Sequence, residues 1–203
     1  MSVILARHGD ARNTAGKFHG LVDEPLTKKG IKEGHSLAEE LKQYKPTMIY
    51  TSPMSRTFDT AKIISDELKI PIIQSNELLP LDLGDFVGLS TDEYVEDLKH
   101  YLDNPNKKIP GGQPVNEWAK KYNKFFNKIF NGLESNESVI FLTHGRNILL
   151  TKADMKEGTY NTRFDKSILT GSDKSTEHGG YAIASKPDKF DIVTPKSVTK
   201  GSS

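Results

Sequence analysis

The sequence predicts an α/β fold: a three-layer sandwich with a mostly parallel central sheet flanked by helices. Two observations predict it. Short apolar runs alternate with stretches whose apolar residues recur at helical spacing, the pattern of a layered α/β sheet. The run at 139–142 carries no polar alternation, as expected of a strand covered on both faces. At 203 residues the chain accommodates one domain with a sizeable core. Residues 1–196 are expected to form that domain and 197–203 a disordered tail.

The elements follow in order. Residues 3–6 make the first strand. Ile31, Gly34, Ala38 and Leu41 predict a helix over about 28–44. Residues 48–50 make a second strand. Phe58, Ala61, Ile64 and Leu68 mark a second helix that stops before Pro71. Residues 71–74 read as a third strand, and 91–102 as a helix with Val95, Leu98 and Leu102 on one side. Val115, Trp118, Tyr122, Phe125, Ile129 and Leu133 form the strongest amphipathic pattern in the chain. Its aromatic residues read as core packing. After the strand at 139–142, residues 181–184 and 190–193 form a closing pair around a turn at Pro187-Asp188.

In such sheets ligands sit at the carboxyl ends of the strands. Arg7-His8-Gly9 follows the first strand, Ser52-Pro53-Met54-Ser55-Arg56 the second, and Thr143-His144-Gly145-Arg146 the run at 139–142. Two histidines and two or three arginines therefore converge on one rim. Guanidinium groups grip phosphate oxygens in a bidentate fork. A neutral imidazole is a nucleophile toward phosphorus, and a second one stabilises a transferring phosphoryl group. If arginines supply the charge, no metal and no cofactor is needed. A zinc site from His8, His144 and Asp82 would be opposed by the adjacent arginines.

Arg7-His8-Gly9, Gly20 with "DEPLTKKG" (23–30), "TSPMSRTFDTA" (51–61) and "FLTHGR" (141–146) resemble, in order, the histidine phosphatase superfamily, in its phosphoglycerate mutase-like branch. The resemblance covers about residues 1–150, and "EHGGYAIAS" (177–185) fits the last strand more loosely. It implies a phosphomonoester hydrolase with His8 as the phosphoryl-accepting nucleophile. Arg7 and Arg56 would bind the phosphoryl oxygens, and His144 would complete the pocket from the other side. Gly9, Gly20, Gly145 and Arg146 fall at phosphate- or substrate-binding positions. Asn13 takes the place of the family's asparagine if one residue is deleted after Gly9; Thr14 is the ungapped alternative. Arg146 either reaches the pocket or points to solvent from the first turn, and Arg12 is similar.

Two positions depart from the family. Relatives carry L-x-E-x-D-x-G-x-x-x-G, whose Glu is the general acid. In "NELLPLDLGDFVG" (76–88) Pro80 stands in its place. Asp82 is the nearest carboxyl on the same turn; Glu77, Asp85 and Asp10 are the other candidates. If no carboxyl serves, only esters with good leaving groups should be cleaved. In "PGGQP" (110–114), Gln113 and Pro114 replace the usual Glu-Ser, which counts against the usual mutase substrate. Two alternatives therefore stand beside the hydrolase: a phosphoglycerate mutase-type phosphotransferase, and a degenerate member that binds a phosphorylated ligand without turnover. Of the remaining histidines, His19, His35 and His100 read as non-catalytic. His178 precedes a strand whose start can line the pocket, which makes it a possible substrate contact.

Composition narrows the partners. Lys and Arg number 28 against 27 Asp and Glu, a net charge of +1, which argues against a nucleic-acid surface. With no cysteine, thiolate nucleophiles and disulfides are excluded. No signal-peptide pattern opens the chain and no apolar run approaches a membrane span. A cytoplasmic enzyme acting on a small phosphorylated molecule or a phosphoprotein is expected, with no membrane partner.

Overall fold

The computed structural model describes residues 1–12, 16–157, 177–185 and 189–193. Six strands form one sheet in the order β3-β2-β4-β1-β5-β6. They are β1 (Ser2–Arg7), β2 (Met48–Thr51), β3 (Ile72–Gln74), β4 (Ser138–Thr143), β5 (Tyr181–Ser185) and β6 (Lys189–Val193). The first four run parallel, and β5 and β6 close the sheet with antiparallel pairings. The expected sheet is thus present. The expected tail, the Pro187-Asp188 turn, Asn13 and Thr14 lie outside the described residues.

The helices α1 (Lys28–Leu41), α2 (Ser55–Leu68), α3 (Thr91–Asp103), α4 (Val115–Gly132) and α5 (Gly145–Glu157) cover the sheet. Strand side chains alternate between faces, and the core divides accordingly. Ile4, Ala6, Ile140 and Leu142 pack with Leu37, Leu41, Ala61 and Ile64 of α1 and α2. Val3, Leu5, Val139 and Phe141 pack with Trp118, Tyr122 and Phe126 of α4 and Ile148 of α5. Burial on both sides is why these strands read as unbroken apolar runs. The aromatic stripe of α4 is core, as its spacing predicts. Trp118 Nε1 donates to Leu79 O (3.1 Å), and Tyr122 Oη shares a hydrogen bond with Thr151 Oγ1 (2.6 Å).

Local signals set the helix ends. Thr27 caps α1 by accepting from Gly30 N (3.0 Å). Ser90 caps α3 through Glu93 N. Lys69, in the left-handed region at φ 57°, stops α2 before Pro71. By contrast, α5 has no amphipathic spacing to announce it. Its Ile148, Leu149 and Leu150 are consecutive and all buried.

The end of β1 lies unusually close to α1. A Cβ on Gly9 would fall 2.3 Å from Gly30 O, and one on Gly30 would fall 2.0 Å from Asp10 O. Only a pair of glycines lets this backbone crossing happen. Gly30→Ala should therefore cost at least about 2 kcal/mol of stability through overpacking. Gly132→Ala, where nothing lies within 4 Å, should be neutral or slightly stabilising. Urea unfolding of the two variants checks the contrast.

Candidate active site

Strand register assembles the site. Arg7 of β1 lies opposite Thr143 of β4 in a parallel ladder, and Thr51 of β2 lies opposite Leu142. The next residue of β1 is His8 and the next of β4 is His144, so the two imidazoles emerge level on adjacent strands. Their ring centroids are 5.3 Å apart at an interplanar angle of 63°. Because β5 is antiparallel to β1, with Tyr181 opposite Ala6, the segment entering β5 arrives at the same edge. It brings His178 to 5.5 Å from the His8 ring. Gly179 N donates to His8 O (3.3 Å) and Arg7 N to Gly180 O (2.9 Å).

The His8 side chain is buried, and its Nδ1 is 2.8 Å from Gly9 O. A carbonyl can only accept, so Nδ1 carries the proton and Nε2 keeps the lone pair in the neutral ring. Burial, then Arg7, His144 and Arg56, hold the His8 pKa well below the ordinary imidazole value. His144 is depressed likewise by burial, Arg56 and Arg7. Its Nε2 shares a hydrogen bond with Ser52 Oγ (3.1 Å), which fixes the ring. Both imidazoles are therefore neutral at neutral pH, the state a nucleophile requires.

Arg56 lies in the first turn of α2, buried beneath residues 17–26. Its Nη1 donates to Val22 O (2.7 Å) and its Nη2 to Gly20 O (3.2 Å). The Asp23 carboxylate ties that loop to α2 by accepting from Ser55 N and Ser55 Oγ, both at 2.7 Å. Gly20 thus positions an arginine through its carbonyl, from a backbone at φ 51°. Gly9 N donates to Thr60 Oγ1 (3.1 Å), fastening the loop after β1 to α2. Gly145 opens α5, whose first amides follow His144.

Burial and like charge shape the electrostatics. Burial, then Arg146 and Arg56, lower Arg7 to about 10, against smaller opposing effects of Glu33 and Asp10. Burial lowers Arg146 to about 10 as well. Arg146 lies over the Phe18 ring at 5.9 Å, and its Nε is buried with no hydrogen-bond partner among the described residues. So Arg146 is half-buried at the rim, whereas Arg12 is exposed. Three guanidinium groups repelling one another beside neutral imidazoles make a place for an anion.

The other carboxyls fall as follows. Asp82 is half-buried, and its Oδ1 accepts from Gly84 N (3.1 Å) on its own turn. Glu77 and Asp85 are exposed, and Ser75 Oγ donates to Glu77 (2.5 Å). Pro80 is buried, next to Leu79, whose carbonyl also accepts from Asn147 Nδ2 (3.3 Å). Asp10 stands under the site, where Thr27 Oγ1 donates to its Oδ2 (2.7 Å) and its Oδ1 lies 3.4 Å from His178 Nδ1. Thr60 is a supporting residue that the sequence did not single out, and Ser52 entered the sequence reading only within the segment that follows the second strand. Their signal is position: one ends a strand, the other lies one turn beyond Arg56 on the same helix face. Among the described residues, no group of three or more His, Asp or Glu side chains is arranged to hold a metal ion. No helix among them is long and apolar enough to cross a membrane.

A sequence model of the histidine phosphatase superfamily (branch 1) matches residues 3–170. The chain belongs to this superfamily. Phosphoserine phosphatase 1 of Hydrogenobacter thermophilus is 30% identical over 152 residues, covering 71% of each chain. A probable phosphoglycerate mutase of Proteus mirabilis is 28% identical over 151 residues, covering 71% of this chain and 70% of its own. Among solved structures, a mycobacterial glucosyl-3-phosphoglycerate phosphatase superposes with a TM-score of 0.76 at 18% identity, over 96% of this chain and 99% of that one. That likeness bears on the fold, and the two sequence relatives bear on the family.

The buried imidazoles couple stability to pH. Above about 6.5 they are neutral in folded and unfolded chains alike. Below it the unfolded chain takes up protons that the folded chain refuses, because the folded values are depressed. Stability is therefore lost as pH falls from about 6.5 toward about 4, the value to which burial and Arg7 bring His178. His8 and His144 act in the same direction. Melting temperatures between pH 7 and 4.5 should fall with acidity, and His144→Gln should make the slope shallower.

Proposed function

We propose that the chain is a phosphomonoester hydrolase that works through a phosphohistidine at His8 without a metal ion. The observation that carries this reading is the His8 ring. It is buried and neutral, its Nδ1 proton is committed to Gly9 O, and it lies beside Arg7 and Arg56. In the first step His8 Nε2 attacks phosphorus in line, the P–N bond forms and the ester P–O bond breaks. Arg7, Arg56 and His144 stabilise the equatorial oxygens. In the second step water attacks phosphorus, the P–N bond breaks and inorganic phosphate leaves.

The relatives support this reading at the level of phosphoryl chemistry. Pro80 and Gln113, where mutase-like relatives carry acids, favour hydrolysis over phosphoryl retention. Release of phosphate from p-nitrophenyl phosphate in the presence of EDTA is expected. His8→Ala should abolish it, and mass spectrometry of the wild type under substrate should find a phosphorylated His8. A fully active His8→Ala variant would overturn the assignment. Turnover of 3-phosphoglycerate to its isomer without phosphate release would favour the mutase. Tight phosphate binding with no turnover would favour the inert binder.

Arg146 points to the substrate class. A half-buried guanidinium with an unpartnered Nε beside Arg7 calls for more negative charge than one phosphoryl group held by Arg7 and Arg56. The substrate is therefore a small phosphomonoester with a second acid group. Phosphoserine and phosphoglycerate, in the names of the relatives, have this form. Arg146→Gln should raise KM for phosphoserine at least about ten-fold, a loss of about 1.4 kcal/mol of binding, with kcat and the p-nitrophenyl phosphate reaction little changed. Steady-state kinetics on both substrates checks this.

A further inference from the structure

Pro80 leaves the phosphatase reading without its usual proton donor. Burial and the charges of Arg7, His144 and Arg56 lower the His8 value, opposed by the hydrogen bond to Gly9 O. Asp82 is engaged with the amide of its own turn. Yet an alkoxide leaving group requires a proton.

The segment entering β5 supplies a different group. His178 lies against the His8 ring. Its Nε2 is buried and has no hydrogen-bond partner among the described residues, while its Nδ1 lies 3.4 Å from Asp10 Oδ1. Asp10 is itself held in place. Its N–H donates to Glu33 Oε2 (2.7 Å), Thr27 Oγ1 donates to its Oδ2 (2.7 Å), and its carbonyl accepts from Thr27 N (2.9 Å). A fixed carboxylate on one ring nitrogen orients an imidazole and stabilises its protonated form. His144 lacks this arrangement, since its Nε2 is turned to Ser52 Oγ.

Resting on the phosphatase reading, we propose that His178 is the proton donor to the leaving oxygen, positioned by Asp10, in place of the carboxyl absent at Pro80. As His8 Nε2 bonds to phosphorus and the ester P–O bond breaks, the leaving oxygen takes the Nε2 proton of the His178 imidazolium and departs as an alcohol. His178 is then neutral. In the second step it takes a proton from the attacking water as the new P–O bond forms and the P–N bond breaks. Phosphate is released and the imidazolium is restored, so the cycle balances with water as the only co-reactant.

The charges around His178 fit a donor that is armed by substrate. In the ligand-free chain burial, Arg7, Lys29 and Arg56 lower its pKa, and Asp10 opposes them. Glu33 of α1 also lies against the segment, since a Cβ on Gly179 would meet it at 3.2 Å. A phosphate dianion between Arg7 and Arg56 cancels the cations that depress His178, and it favours the protonated ring when a proton is needed.

Leaving-group dependence tests the proposal. The wild type, His178→Gln, Asp10→Asn and Asp82→Asn are compared on glycerol 2-phosphate, an alkyl ester, and on p-nitrophenyl phosphate, whose leaving group needs no proton. His178→Gln should lose about a hundred-fold or more in kcat on the alkyl ester and less than about five-fold on the aryl ester. Asp10→Asn should show the same selectivity to a smaller degree, and it stands in if His178→Gln unfolds. Asp82→Asn should change both rates in parallel. Equal losses on the two esters in both His178→Gln and Asp10→Asn would overturn the proposal. So would selective loss in Asp82→Asn. A wild type that cleaves neither ester would instead overturn the phosphatase reading itself.

Discussion

The parallel ladder between β1 and β4 is the constraint on which the site depends. With Arg7 opposite Thr143, the strands end in step, and His8 and His144 leave the sheet side by side. A slip of one residue would turn every β1 side chain to the other face, putting Val3 and Leu5 where Ile4 and Ala6 belong. The burial of both faces therefore locks the alignment of the two imidazoles. A second parallel ladder, between β4 and β2, brings β2 level, so Ser52 reaches His144 and α2 starts where Arg56 can enter. The geometry of the candidate site is a by-product of core packing. The rest of the site is fastening: Gly9 to Thr60, Arg56 to the carbonyls of Gly20 and Val22, and Asp23 to Ser55.

What this alignment creates is electrostatically unfavourable in the empty protein. Arg7, Arg56 and Arg146 crowd a partly desolvated space, and the imidazoles cannot accept protons to hydrogen-bond as donors on both sides. Arg56 has backbone carbonyls and the nearby Asp23 and Glu24 to offset the cost. The residual imbalance is positive, and in the proposed hydrolysis the phosphoryl group of the substrate removes it. Burial first, and then the charges of Arg7, His144 and Arg56, keep the His8 ring unprotonated. A dianion arriving at the site relieves the repulsion among the arginines, and the charge developing on the phosphoryl oxygens stays within their reach.

Much of this was legible in the sequence because strand ends are legible. Apolar runs at 3–6 and 139–142 end in Arg7-His8-Gly9 and Thr143-His144-Gly145, and the layered α/β pattern places such ends on one rim. α1 and α4 are clear because their apolar residues keep helical spacing. α5 is not, since it is buried on several sides and presents Ile148, Leu149 and Leu150 in a row. Gly9 could be read as a small residue near the site, but not that its partner is Gly30, because a contact across that distance in sequence leaves no local pattern. The Asp10–His178 pair is hidden for the same reason. It depends on β5 running antiparallel to β1, which the sequence allows but does not impose.

The absence of a carboxyl at Pro80 has a structural logic of its own. Leu78 and Leu79 are tied to the ends of the sheet and helices: Leu78 O accepts from Thr143 Oγ1 (3.0 Å), and Leu79 O from Trp118 and Asn147. Proline, already lacking an N–H to satisfy, is buried in that corner at little cost, whereas a buried carboxyl would need its own partners. Packing has taken this corner, so in the proposed hydrolysis the acid comes from elsewhere on the rim. The opposite edge has what the corner lacks: a histidine, a fixed carboxylate, and burial with nearby cationic charge that lowers the ring's pKa. On the proposed mechanism, a proton donor placed there is coupled to the occupancy of the phosphate site. A carboxyl at position 80 would not need to be coupled in this way.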